Sequence, residues 1–219
     1  MKLYGAIASP YVTRVLMFAR LKGVDLELLD PPGGSRSDEY RAMTPIGKIP
    51  SLEADGHIIP ESETICEYIE DVHPEPSGLP ADAQGRATSR TISRITDLYL
   101  APHVSTIVPH INPANRDADV VEKVGGEIAK GFVYLEHFMG PGPFAVSDQP
   151  TLGDCSAGPY LMLMRKLVFD HFDDIADPTQ TPGRLADWWQ ALEGHEVCAS
   201  TINEYATAVD GFLKYLLKR

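Results

Sequence analysis

Residues Gly47–Ser62, GKIPSLEADGHIIPES, carry two short strand-like runs, a turn and a helix start in one continuous stretch. Ser51–Ala54 and His57–Ile59 flank Asp55-Gly56, a pair suited to a two-residue turn whose central positions both take φ > 0. An antiparallel hairpin is expected. Before it stands Ile49-Pro50; proline has no N–H, and an X-Pro bond can be cis. Such a strand entrance leaves the Ile49 N–H and C=O free. After the hairpin, Ile65, Tyr68, Ile69 and Val72 recur at helical spacing, so Ser62 is expected as the N-cap. The positive end of a helix attracts a carboxylate, and a carboxylate beside it, Glu61, attracts an ammonium. From the residues alone the stretch is either an ordinary hairpin with an ordinary cap or a docking place for a small extended zwitterion.

Working outward, Lys2–Ile7 has strand character and runs into Ser9-Pro10, a favoured cap followed by a favoured first helical residue. Val12, Val15, Leu16 and Ala19 then mark an amphipathic helix that stops near Gly23. Val24–Leu29 supplies a second strand, parallel to the first if the helix is a crossover. The glycine- and proline-rich segment 31–37 is a loop, and Asp38–Met43 a short helix. Residues 1–76 are therefore expected to form an α/β domain, βαβ followed by ββα.

The His73-Pro74-Glu75-Pro76 run ends the last helix, and residues 77–86 are expected as a linker. From 87 to 219 only helical spacing recurs, so an all-α bundle is expected. Ile92, Ile95, Leu98 and Tyr99 begin a helix that meets Pro102 and Pro109, where an interior proline bends it. Val120–Met139 is a long helix. Thr151-Leu-Gly-Asp154 has the form of a capping box, opening a helix apolar on nearly every side and hence central. Gly183–Leu192 and Ile202–Leu217 complete the bundle.

Composition narrows the function classes. The 219 residues carry a net charge of −12, which repels phosphate backbones and anionic membranes, so neither nucleic acid nor membrane is expected as a partner. Three scattered cysteines, Cys66, Cys155 and Cys198, match no metal or redox spacing, and none of the seven histidines lies in a ligand motif. No metal is expected. The apolar run at the N-terminus is too short for a signal peptide, and the expectation is a cytoplasmic protein.

With these motifs in order, the sequence resembles the cytosolic glutathione transferases of the serine type, in particular the tau, zeta and theta classes. SPYVTRVLMFARLKGV (9–24) is similar to their first-helix signature, TPIGKIPSL (44–52) to their cis-proline loop, PESETICEYI (60–69) to their Glu-Ser helix start, and Thr151–Asp154 to their helical-domain capping box. The resemblance implies a thioredoxin-like N-terminal domain, glutathione as co-substrate, detoxifying chemistry on a small electrophile, and a homodimer. It further implies that Ser9 hydrogen-bonds the glutathione sulfur, that Ile49 pairs with the cysteinyl backbone beside Pro50, and that Glu61 and Ser62 hold the γ-glutamyl end. The glycine carboxylate needs a cation, and Arg36, Arg41 and Lys48 are all available; Arg36 lies near the family's usual basic position. Tyr11, Tyr99, His103 and Tyr160 are candidates for lining the second-substrate site.

The chemistry follows from the thiol. With a pKa near 8.5, only a few per cent is thiolate at pH 7, and the thiolate is the nucleophile. A Ser9 hydroxyl at the positive end of a helix supplies a charge-assisted hydrogen bond and a dipole. Lowering the pKa by about two units requires about 2.7 kcal/mol, within their combined reach. Tyr4 is the rival activator. Three functions remain: conjugation of glutathione to an apolar electrophile, glutathione-dependent isomerisation of a maleyl keto-acid, or binding without turnover on the same fold. Ser9-Pro10-Tyr11 lacks the Ser-Ser-Cys signature of the zeta isomerases, which weighs against the second.

Overall fold

A computed structural model describes the backbone of residues 1–216 and side chains to residue 214. Four strands, β1 (Lys2–Tyr4), β2 (Glu27–Leu29), β3 (Ser51–Ala54) and β4 (His57–Pro60), form one sheet in the order β2-β1-β3-β4. β1 runs parallel to β2 and antiparallel to β3, with Leu3 opposite Leu28 on one side and Leu52 on the other. The β3–β4 hairpin turns at Asp55 and Gly56, at φ +49° and +78°, as the Asp-Gly pair requires.

Helices α1 (Pro10–Leu21), α2 (Asp38–Met43) and α3 (Ser62–Val72) accompany the sheet. Leu3, Leu52, Val12, Val15, Ile65 and Ile69 are fully buried between sheet and helices; cutting one such aliphatic side chain back to alanine costs about 2–5 kcal/mol. Two strands are shorter than their sequence patterns. β1 stops at Tyr4 because Gly5–Ser9 turns tightly, with Ser9 N–H donating to the Ala6 carbonyl (2.9 Å), and β2 begins only at Glu27.

The remaining chain is helical: α4 (Ala83–Ile95), α5 (Ala101–Ile107), α6 (Ala118–Phe138), α7 (Leu152–Met164), α8 (Arg184–Gly194) and α9 (Glu196–Leu216). α4 thus starts within the segment expected as linker. The C-terminal helix runs from Glu196, and Leu217, its expected last residue, lies outside the described residues. α7 is buried on almost every side and packs on both α1 and α4. Its start is fixed by Asp154, fully buried, whose carboxylate accepts from the backbone N–H of Thr151 and Ala145 and from Trp188 Nε1, each at 2.8 Å. With the Thr151 hydroxyl (3.0 Å) these donors counter part of the desolvation, and burial still holds the carboxyl above its usual range.

Between α4 and α5 the chain makes a π-helical turn, Thr96–Leu100, immediately before Pro102. Gly131 lets α6 close against it: a Cβ there would lie 2.7 Å from the Tyr99 carbonyl oxygen. The wider π turn rotates the residues that follow relative to an unbroken α-helix.

Candidate active site

A groove runs along the C-terminal end of β1 and the N-terminal end of β3, where the N-terminal half meets the helices. Its floor is the Ile49-Pro50 segment. The peptide bond is cis, and no backbone hydrogen bond among the described residues engages the Ile49 N–H or C=O. Tyr40, fully buried on α2, clamps this segment from below: its hydroxyl donates to the Lys48 carbonyl (3.0 Å) and shares a bond with Ser51 Oγ (2.8 Å). The strand entrance is held open with its own polar groups unpaired.

One half of the groove, a cavity of about 580 Å³, has Ser9 and Tyr11 at the start of α1, Arg36, Lys48 and Ile49 along one rim, and Val104, Val108, Tyr160, Leu163, Leu167 and Phe212 as a mostly apolar wall. Ser9 caps α1 through its backbone, its carbonyl accepting from Thr13 N–H (3.0 Å), while its side chain makes no capping bond. The hydroxyl therefore stands free at the positive end of a twelve-residue helix. Tyr11 packs its ring 6.0 Å from that of Tyr160, and burial raises both phenols above their usual pKa. Both stay protonated donors through the neutral range.

The other half, about 390 Å³, is polar and contains Glu61, Ser62, Glu63, Arg14, Arg94 and Asp97 beside Ile49 and Pro50. Here the expected cap is displaced by one residue. Glu61 occupies the N-cap position at φ +67°, ψ 115°, and Ser62 is the first residue of α3. The reason is Arg14. Its guanidinium, 2% exposed, donates to Ser62 Oγ (3.0 Å) and forms a two-pronged pair with Asp97 (3.0 and 2.6 Å). Ser62 Oγ thereby becomes an acceptor, which leaves its own proton available for donation. A left-handed non-glycine residue such as Glu61 carries backbone strain of about 1–3 kcal/mol, common where a side chain must be aimed at a ligand.

Of the cations considered for the glycine carboxylate, Arg36 and Lys48 line the first cavity. Arg41 does not; it lies against Gly47 and near Asp38. Two of the aromatic candidates also face elsewhere. Tyr99 stacks edge-on against Tyr134 of α6, 5.5 Å away, and His103 is outside both cavity walls, near enough to Glu127 of α6 to influence its charge. Val104 and Val108, which follow the π turn, line the groove, while Tyr99 lies within the turn and His103 after it. Tyr4, the rival to Ser9, donates its hydroxyl to Glu53 (2.7 Å) and is absent from both walls. Sequence reasoning missed Arg14, Asp97, Arg94 and Tyr40. The charged residues at helical interior positions 14 and 97 were a signal available in the sequence.

Comparison with known proteins agrees with this fold. The family model "Glutathione S-transferase, N-terminal domain" matches residues 3–77. Maleylacetoacetate isomerase of Rattus norvegicus is 31% identical over 211 residues, spanning 89% of this chain and 90% of that protein. Among solved structures, the tau class glutathione S-transferase of mango, Mangifera indica, is 26% identical with a TM-score of 0.79 over 98% of this chain and 97% of that one. The fold is also that of a maleyl pyruvate isomerase described as a bacterial zeta-class glutathione S-transferase, at TM-score 0.74 and 24% identity over 92% and 96% of the two chains. With motifs, fold and a relative of this extent in agreement, the chain belongs to the glutathione S-transferase family.

Proposed function

We propose that the protein is a glutathione transferase in which Ser9 activates the thiol and the thiolate attacks a small apolar electrophile. The observation that carries this is the Ser9 hydroxyl, free of capping and set at the start of α1 between the unpaired Ile49 backbone and an apolar wall. Glutathione in this reading lies extended along the groove: the γ-glutamyl end by Glu61 and Ser62, the cysteinyl backbone on Ile49 above Pro50, the glycine carboxylate toward Lys48 and Arg36. Residues 1–76 hold the peptide, 77–86 join the halves, and 87–219 choose the electrophile. Tyr11 and Tyr160 border that second substrate.

A thiolate bound beside an apolar wall is desolvated on one face, and the Ser9 hydrogen bond with the helix dipole offsets that cost. Mixing glutathione with wild-type protein and following thiolate absorbance against pH tests the step directly. A bound thiol that ionises no more readily than free glutathione would remove Ser9 as activator.

The second reading is isomerisation, favoured by the rat relative named maleylacetoacetate isomerase. The same thiolate would add to a conjugated double bond and leave after rotation, with no net consumption of glutathione. A keto-diacid needs cations near the electrophile, and among the described residues of that wall Arg36 and Lys48 offer them. Turnover of a maleyl keto-acid in place of an aryl halide, at unchanged total thiol, would select this reading.

We also read the protein as a cytoplasmic homodimer. No described helix is long and apolar enough to cross a membrane. Leu98 and Tyr99 with Val133, Tyr134 and Phe138 of α6 are 42–63% exposed, apolar area suited to a second copy. Analytical ultracentrifugation at micromolar protein tests this, and a monomer at all concentrations would refute it.

A further inference from the structure

Outside its internal ion pair, the polar half of the groove holds two acids, Glu61 and Glu63, and two bases, Lys48 and Arg94. Arg14 is neutralised by Asp97 through two short contacts, so its charge is not available to a ligand carboxylate at full strength. Glu61 and Glu63 remain, both in the cavity wall. Lys48 lines both halves and is the cation this cavity shares with the glycine end of the groove.

One guanidinium in this wall is unengaged. α3 and α4 face each other with acids at 63 and 67 and arginines at 90 and 94, one helical turn apart on each helix. The first rung is closed: Arg90 holds Glu67 at 2.6 and 2.9 Å. The second is open. Arg94 lines the cavity beside Glu63 and Asp97, is exposed, and makes no side-chain hydrogen bond or ion pair among the described residues. Glu63 is likewise unpaired, and burial pushes its carboxyl up despite the nearby arginines.

An open acid–base rung next to the Ser62 hydroxyl fits a group that carries both charges on one carbon, the α-amino acid end of a γ-glutamyl peptide. We propose that Arg94, contributed by α4, binds the α-carboxylate of the γ-glutamyl residue together with the Ser62 hydroxyl. This rests on the glutathione reading above. Glu63 and Glu61 then face the ammonium, and the two carboxylates of the peptide are met at opposite ends of the groove by separate cations.

The test is calorimetric titration of wild type and Arg94→Gln with glutathione and with the analogue in which hydrogen replaces the γ-glutamyl α-carboxylate. Arg94 is exposed and unbonded, so the variant is expected to fold, with a melting curve as the control; Arg94→Lys retains part of the affinity. The expected result is a glutathione Kd about five- to tenfold weaker in Arg94→Gln, with the analogue bound equally by both proteins. Equal glutathione affinity in the two proteins, or the same loss with the analogue, would overturn the assignment. If wild-type protein bound no glutathione, the glutathione reading itself would fall, and the assignment with it.

Discussion

Two serines stand at two helix starts on opposite sides of one groove, and the fold treats them differently. Ser9 at the head of α1 keeps its hydroxyl out of the capping bond, with no hydrogen-bond partner at that oxygen among the described residues. Ser62 at the head of α3 has its oxygen fixed by a buried guanidinium, itself fixed by Asp97. A free hydroxyl can follow a sulfur as its charge develops, while a fixed one presents a single proton in a single direction. The difference separates activation from holding. It also explains why similar local sequence, a serine opening a helix, does not by itself define a role.

The comparison can be broken at four places, taken from the largest expected effect to the smallest. Asp97→Ala leaves Arg14 buried without its counter-charge, and stability should fall by about 3–5 kcal/mol, read by urea denaturation; a loss under about 1 kcal/mol would mean that Ser62 is not held by a buried clamp. Ser9→Ala should lower kcat/KM with an aryl halide about a hundredfold. Because removing the donor raises the pKa of the bound thiol, the rising limb of the pH–rate profile should also move to higher pH, and an unmoved limb would detach Ser9 from the sulfur. Ser62→Ala should raise KM for glutathione about tenfold with kcat nearly constant; an equal fall in kcat would erase the distinction between the serines. Tyr4→Phe should leave kcat/KM within about twofold of wild type, since its hydroxyl is engaged by Glu53. A tenfold fall would transfer the activating role to Tyr4.

Much of this arrangement was legible before any coordinates. Asp55-Gly56, Ile49-Pro50 and Thr151–Asp154 are local signals, each determined by residues within a few positions, and each forms as expected. Ser9 before the first helix and Ile49 before the cis proline stand where local sequence placed them, while their roles came from the resemblance. What escaped depended on long-range pairing or on a change of helical phase. Arg14 sits among the buried residues of α1, and its partner lies 83 positions away; no local pattern connects the two. Tyr40 looked like one more residue of a short helix, yet its hydroxyl supports the cis-proline segment. Tyr99 and His103 were candidates because the resemblance implies that their bent helix borders the second substrate; instead Tyr99 lies within the π turn Thr96–Leu100 against Tyr134, and His103 is outside both cavity walls. Ser62 was misjudged by one position for a related reason: its oxygen is directed by Arg14, outside the helix it begins.

The pairing of Arg14 with Asp97 also couples two events usually treated apart. Arg14 belongs to the segment matched by the N-terminal family model, residues 3–77, and Asp97 lies beyond it. A peptide that binds through Ser62 therefore favours the conformations in which the two halves are docked, and by mass action it raises the free energy of pulling them apart. Glutathione, abundant or scarce, would then act on this enzyme as a mechanical fastener as well as a reagent. Protection of the 73–82 connection from proteolysis should rise and fall with the concentration of the ligand.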